Sequence, residues 1–295
     1  MNILVTGASG LIGSELCKQL SCLGHKVIAV DNMSRGNIIP ESYIFMKEDI
    51  SKQITILPNN IEVIYHLAAI NGTTNFYDKP NKVISNNTRV DLNMFDFAKR
   101  CPNLKKFIYA SSSEMMSHQD FCDESKKIEI DDISNPRWSY KISKMVGENY
   151  LYNSSLPWII VRYFNVYGKE TKSGHIVFDQ IEKHKNGIHE IIGSDETRCY
   201  IHVSDAVNAT LMCIEKAEHK QIINIGSQEE LTSFEVASII GESLGFYNIK
   251  YNLIDGRVGS AKKRVPNIDK LLTYYPDFNP TNFKEGIKKV IEEMK

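Results

Sequence analysis

Three glycines at positions 7, 10 and 13 place the strongest constraint on what this chain can fold into. Residues 2–5 are a short apolar run with β-branched members, which suits a buried strand. Leu11 and Ile12 then open an apolar pattern that continues at helical spacing through Leu16 and Leu20. A strand that turns on glycines into a helix leaves backbone N–H groups at the helix N-terminus, where the helix dipole also favours an anion. Gly7 suits a tight turn, Gly10 the close approach of a diphosphate, and Gly13 close packing of helix on strand. A second predicted strand, residues 26–30, ends at Asp31. A carboxylate there accepts from ribose hydroxyls and repels a 2′-phosphate, so the expected ligand is NAD. Arg35, four residues on, offers a phosphate a partner instead. A glycine-rich turn without a ligand is the plain alternative, and the strand, helix and acid around it argue against that.

Further predicted strands cover residues 43–47, 63–67, 106–110 and 158–162, with helices over 86–100 and 138–150 between them. Strand, helix, strand, repeated, predicts an α/β fold with a doubly wound parallel sheet and right-handed crossovers. Ligands bind such sheets at the carboxyl ends of the strands. The glycine turn, Asp31, Ala68, Ala69 and the run from Ser111 to Glu114 all fall there. Residues 117–136 read as a polar surface excursion. Beyond Gly168 the periodicity weakens and the elements mix, which predicts a smaller C-terminal α/β lobe. The expected division is 1–168 for the cofactor and 169–295 mainly for the substrate, with a strand near 222–225 returning to the main sheet.

Lys and Arg number 35 against 36 Asp and Glu, so no global field invites nucleic acid or an anionic membrane. Any anionic ligand must then be held by local groups. The six cysteines include no Cys-x-x-Cys pair and no accompanying His cluster, so no metal site is expected. The chain enters a strand at once, and no apolar run approaches membrane-spanning length. The expectation is a cytoplasmic protein with no membrane partner.

Tyr140 and Lys144 share one face of the predicted helix 138–150. A neighbouring ammonium and a cationic nicotinamide are both expected to lower the phenol pKa. A phenolate can take the proton of a substrate hydroxyl while a nicotinamide takes the hydride from carbon. A Ser hydroxyl from the 111–113 run can bond the same oxygen. Taken alone, Tyr-x-x-x-Lys is common on helices; joined to the glycine turn, acid and serine run in workable order, it points to redox chemistry.

With these pieces the chain resembles the extended short-chain dehydrogenase/reductase family, in its nucleotide-sugar epimerase and dehydratase branch. The matching residues are Thr6 to Gly13, Asp31, Asp49-Ile50, His66-Leu67-Ala68-Ala69, Ser111-Ser112-Ser113, Tyr140 with Lys144, Arg162 to Gly168, Arg198 with Tyr200, His202, Val203 and Asp205, and Asn224-Ile225-Gly226. The resemblance implies a Rossmann-type fold, tightly bound NAD and a nucleotide-diphosphate sugar as substrate. It implies Tyr140 as catalytic acid/base, Lys144 as its partner and Ser112 at the catalytic Ser/Thr position. Cofactor contacts would come from Gly7, Gly10, Leu11, Ile12, Gly13, Asp31, Asn32, Asp49, Ile50, Leu67, Ala68, Ala69 and Asn87, besides Tyr140 and Lys144. Ser112, Ser113, Asn165, Arg198 and Arg264 would contact the substrate, the two arginines at its diphosphate. A homodimer through the helices near 86–100 and 138–150 is also implied.

Members of this branch oxidise a hexose at C4 to a 4-keto sugar and then epimerise, dehydrate or decarboxylate it. Glu114 matches the position where dehydratases and decarboxylases of the branch carry Glu, the base for the C5 proton in a dehydratase. Pro136-Arg137-Trp138 and the segment from Lys263 to Ile268 resemble the uronic acid decarboxylase group, in which the matching Arg lies close to the substrate. Three departures stand out. Met115-Met116-Ser117 replaces the usual Val-Tyr-Gly, Cys199 stands where many members carry Asp, and Ser113 stands where the Asp-Glu dehydratases carry Asp. The expected activity is NAD-dependent modification of a nucleotide-activated hexose of the epimerase/dehydratase type. Uronic acid decarboxylation is the alternative on the same scaffold. A hydroxysteroid-type dehydrogenase or flavonoid-type reductase is disfavoured by Asn165, Arg198 and Arg264, and a non-catalytic NAD(H)-binding regulator by the intact Tyr140 and Lys144.

Overall fold

The computed structural model describes residues 1–295 except 37, 53–56 and 117–119. Seven parallel strands form the central sheet: β1 (Asn2–Thr6), β2 (Lys26–Asp31), β3 (Ile44–Lys47), β4 (Val63–His66), β5 (Lys106–Ser112), β6 (Trp158–Tyr163) and β7 (Gln221–Ile225). Their spatial order is β7-β6-β5-β4-β1-β2-β3. The order reverses between β1 and β4, the switch point at which doubly wound sheets bind ligands. The expected doubly wound α/β fold is thus the observed one, and the 222–225 segment lies in the main sheet beside β6.

Strand side chains alternate between two buried faces. Ile3 and Val5 point into one core with Leu16, Cys17 and Leu20 of α1 (Leu11–Cys22). Leu4 points into the other, shared with α3 (Pro80–Lys99) and α4 (Trp138–Tyr152). Between β4 and α3 lies a short helix, α2 (Thr73–Asp78). The predicted helix at 86–100 begins earlier, at Pro80, because proline at the first helical position presets φ and lacks only an N–H that would have no partner there. Its early turns are polar apart from Pro80, Val83 and Ile84, and Val83 packs with Phe76 and Tyr140 in a separate small cluster.

After Gly168 come α5 (Ile176–Lys185), α6 (Val203–Lys216), α7 (Ser233–Ser243), α8 (Asp269–Tyr274) and α9 (Phe283–Glu293). Helix α6 packs on the α1 face of the sheet, whereas α5, α7 and α9 enclose a third apolar cluster around Tyr200, Ile240 and Phe283. Among its described residues, the 117–136 excursion is less irregular than its composition predicts. Phe121–Cys122 pairs in parallel with Val265–Pro266 and ties the excursion to the C-terminal part of the chain. Ser117, part of one departure noted above, lies outside the described residues. Among the described residues no helix is long and apolar enough to cross a membrane.

The junction of β1 and α1 is the tightest point of this packing. A Cβ added at Gly13 would lie 2.2 Å from the Gly7 carbonyl oxygen and 2.8 Å from Ala8 Cα. These obstacles are backbone, so relief requires moving the helix off the strand. Gly13→Ala is expected to destabilise the fold by about 2 kcal/mol or more, towards the upper range for overpacking. Urea unfolding of both proteins checks this, and an unchanged midpoint would refute the close-packing role.

Candidate active site

The carboxyl ends of β1, β2, β4 and β5 open into one long cleft. Gly7 holds φ at +70°, and a Cβ there would lie 2.7 Å from the Ala68 amide nitrogen. The N-cap of α1 is Gly10, which offers no side-chain cap to the first amides of the helix. Those donors face a ligand without competition, and the cradle fits a diphosphate. Asp31 closes the next position. Its Oδ2 accepts from Ser9 N at 3.0 Å and its Oδ1 from Met33 N at 2.7 Å. Two backbone amides thereby set the carboxylate at the rim, with lone pairs left for ribose hydroxyls. Asp49 accepts from Ser51 N at 3.1 Å, and a further hydrogen bond from Asn32 helps the Ser51 contacts hold its carboxyl below the usual range. These residues fit an adenosine, so the sequence-expected NAD has a matching site.

Gly7, Gly10, Leu11, Ile12, Gly13, Asp31, Asn32, Asp49, Ile50, Leu67, Ala68 and Ala69 all line this cleft, as do Ser112, Ser113, Glu114, Tyr140, Lys144 and Asn165. Asn87 does not. It is fully buried, its Oδ1 accepting from Ile70 N at 2.7 Å and its Nδ2 donating to Ile70 O and Ser143 Oγ. Its amide is taken up by the backbone at Ile70 and by the Ser143 hydroxyl.

Tyr140 stacks on Phe76 with ring centroids 4.9 Å apart. Burial raises its phenol pKa, Glu114 and Asp91 raise it further, and the Ser112 hydroxyl and Arg35 oppose them. The expected lowering by a neighbouring ammonium is therefore not what the protein alone produces. Lys144 Nζ lies 5.9 Å from the Tyr140 ring centroid, while the ring itself is enclosed by apolar neighbours. Arg35 reaches over the cleft, and its Nη2 donates to Ser173 O at 3.4 Å. Helix α4 is pinned from below by Glu148, which takes Ser111 Oγ at 2.5 Å and Arg162 through Nε at 3.0 Å and Nη2 at 2.7 Å.

The surroundings of Glu114 are dominated by charge. Arg264 Nη1 donates to Glu114 Oε1 at 2.9 Å, and Arg137 Nη2 donates to the same oxygen at 3.1 Å. Burial alone would raise the Glu114 pKa, but Arg264 and Arg137 outweigh it and hold the carboxyl at about 2. Arg198 donates to Thr197 O, Glu196 Oε2 and Ser260 Oγ. Burial brings its guanidinium down to about 10. Neither Arg198 nor Arg264 is among the residues that line this cleft, and both are held by protein partners. Asn165 lines the cleft while its Nδ2 donates to Cys199 O at 3.0 Å. Lys141 donates to Glu129 O and sits over the Trp138 ring, and burial lowers its amine to about 8.

Sequence reasoning singled out neither His175 nor Asp91. His175 lines the cleft beside Gly174, and burial holds its ring neutral with a pKa of about 4. Asp91 is a charged residue inside the apolar stripe of α3, four residues after Asn87, and that interruption was a readable signal.

Residues 3–226 match the model of the NAD dependent epimerase/dehydratase family. The UDP-N-acetyl-alpha-D-glucosaminuronate decarboxylase of Bacillus cytotoxicus is 29% identical, over 98% of this chain and 96% of its own. A putative UDP-glucose 4-epimerase of Methanocaldococcus jannaschii is also 29% identical, over 99% of this chain and 98% of its own. Among solved structures, a UDP-glucose 4-epimerase of Thermotoga maritima with UDP-glucose superposes with a TM-score of 0.82 at 26% identity, covering 99% of this chain and 98% of that one.

The Glu114 cluster carries a pH signature. A carboxyl held at about 2 when folded, against an ordinary 4.5, contributes stability above pH 4.5 that is lost as pH falls through about 2. Glu114→Gln should melt below the parent at neutral pH, and the gap should close as pH falls from 4.5 to 2. Thermal unfolding across that range tests it; a gap independent of pH would contradict the ion-pair assignment.

Proposed function

The chain belongs to the NAD-dependent epimerase/dehydratase family, and we propose that it oxidises C4 of a nucleotide-diphosphate sugar and then decarboxylates a C5-carboxylated ring. When bound, NAD supplies the hydride acceptor, the later hydride donor and a positive ring whose field adds to that of Arg35. Tyr140 takes the proton of the C4 hydroxyl, and Ser112 bonds the same oxygen. Lys144 holds ribose hydroxyls and adds positive charge near the phenol. Residues 1–168 supply the cofactor half in this reading, and 169–295 mainly the nucleotide-sugar half.

One observation carries the choice of reaction. Glu114 is clamped between Arg137 and Arg264, and Arg137 Nε and Arg264 Nε and Nη2 are buried with no partner among the described residues. A carboxyl held at about 2 is a poor base for abstracting a C5 proton near neutrality, which disfavours dehydration. Decarboxylation needs no such base, because a C4 ketone makes the C6 carboxylate part of a β-keto acid, which loses carbon dioxide readily. Arg137, Arg198 and Arg264 against Glu114 and Glu196 leave this wall positive, as an anionic sugar requires. The Bacillus cytotoxicus relative, a decarboxylase of a uronic acid sugar nucleotide, supports the same reading. Epimerisation at C4 is the second reading, favoured by the fold similarity to the UDP-glucose 4-epimerase of Thermotoga maritima.

Incubation with UDP-, GDP-, CDP- and dTDP-linked hexoses and hexuronic acids tests the proposal through product mass. Loss of carbon dioxide from a uronate is expected; loss of water, or an unchanged mass with altered stereochemistry, would replace it. Tyr140→Phe should retain NAD affinity while turnover falls ~10²–10⁴-fold, and full turnover would remove Tyr140 from its role. We also propose a homodimer through α3 and α4, whose surfaces expose Leu92 and Val146. Light scattering that returns the mass of one chain would refute that pairing.

A further inference from the structure

Under the cleft floor lies a polar cluster that no role assigned above uses. Asp91 of α3 is only 1% exposed. Its Oδ1 lies 3.0 Å from His66 Nε2, and its Oδ2 accepts from the Tyr109 hydroxyl at 2.5 Å. His66 Nδ1 is 2.6 Å from Thr6 Oγ1, which also accepts from Ala68 N at 3.4 Å. With Asp91 as a carboxylate, one proton arrangement satisfies every member. Ala68 N–H donates to Thr6, the Thr6 hydroxyl donates to His66 Nδ1, and His66 Nε2–H and Tyr109 O–H donate to Asp91. Burial lowers the His66 pKa, in keeping with a neutral ring. The cluster therefore carries one net negative charge.

A positive charge stands on its far side. Lys144 is 1% exposed, and its Nζ lies 4.5 Å from the centroid of the same Tyr109 ring whose hydroxyl binds Asp91. Gly147, three residues further along α4, makes the approach possible. A Cβ there would lie 2.2 Å from the Tyr109 hydroxyl and 2.8 Å from Asp91 Oδ2.

We infer that Asp91 is a positioning residue for Lys144, its buried carboxylate serving as the counter-charge that keeps the amine an ammonium out of water. The titratable groups around Lys144 are Asp91 from α3, Glu148 and Tyr140 from α4, His66 from β4 and Tyr109 from β5. Burial lowers the Lys144 pKa, and Asp91, ahead of Glu148, pushes it back up. Glu148 is already bonded twice by Arg162, which offsets its charge, whereas Asp91 is bonded only by neutral donors among the described residues. Such compensation is what a buried ammonium requires.

The inference rests on the reading of Lys144 as the ammonium partner of Tyr140, but its test needs no substrate. Full-length protein carrying lysine labelled with carbon-13 at Cε is titrated by NMR, and the Lys144 resonance is identified by its loss in Lys144→Arg. Replacing Asp91 by neutral Asn or Thr should lower the Lys144 midpoint by about one pH unit or more. An unmoved midpoint in either folded variant overturns the inference, whatever activity is found. Tyr109→Phe keeps the carboxylate and removes one donor to it, so the midpoint should hold or rise. A fall there would mean that the hydrogen-bonded network, not the charge, sets Lys144. That variant also decides the matter if neither neutral replacement folds.

Discussion

The ligand-binding edge of this protein depends on backbones approaching more closely than side chains allow. At Gly7 the chain passes so near Ala68 that a Cβ would sit 2.7 Å from its amide, and at Gly13 helix α1 presses on the same turn. The two contacts fix β1, β4 and α1 as one unit at the point where the strand order reverses. Everything that meets the cofactor is measured from this unit. Asp31 is held by Ser9 of the turn, and the His66 ring by Thr6 of β1.

Around this rigid edge the site is organised by charge balance. Lys144, Glu148 and Arg162 are all within 2% of full burial, and each ion has a compensating neighbour across α4 or the sheet. Such pairs add little net stability, but removing one partner leaves an uncompensated charge. Around Glu114 the balance is uneven: arginines outnumber the carboxylates they meet. The Tyr140–Lys144 end thus sits over near-neutral ion clusters, and the Glu114 end carries an excess of positive charge.

The fold was largely legible because its strands are apolar runs of the right length and its turns carry the glycines they need. Asn2–Thr6, Lys26–Asp31 and Trp158–Tyr163 all coincide closely with the predicted runs. Local spacing also brought Tyr140 and Lys144 to one side of α4. It did not reveal what else crowds the phenol, and Phe76, which stacks on it, comes from a helix that composition did not announce. The surroundings of Asn87 were hidden for a related reason. A polar residue near a cleft can serve the ligand or the backbone, and only the geometry at Ile70 decides. The arginine wall was visible as residue types, but that Arg137 and Arg264 converge on Glu114 depends on the pairing of 121–122 with 265–266.

That pairing also sets a timetable for the site. The bond from Arg264 to Glu114 joins residues 150 apart in sequence, and the β1–α1 turn is entirely local. Long loops close later than short ones. During synthesis the dinucleotide cradle can form while Glu114 still lacks Arg264, one of the two guanidinium groups that hold it ionised. The nascent protein therefore completes its dinucleotide cradle well before the charge cluster around Glu114.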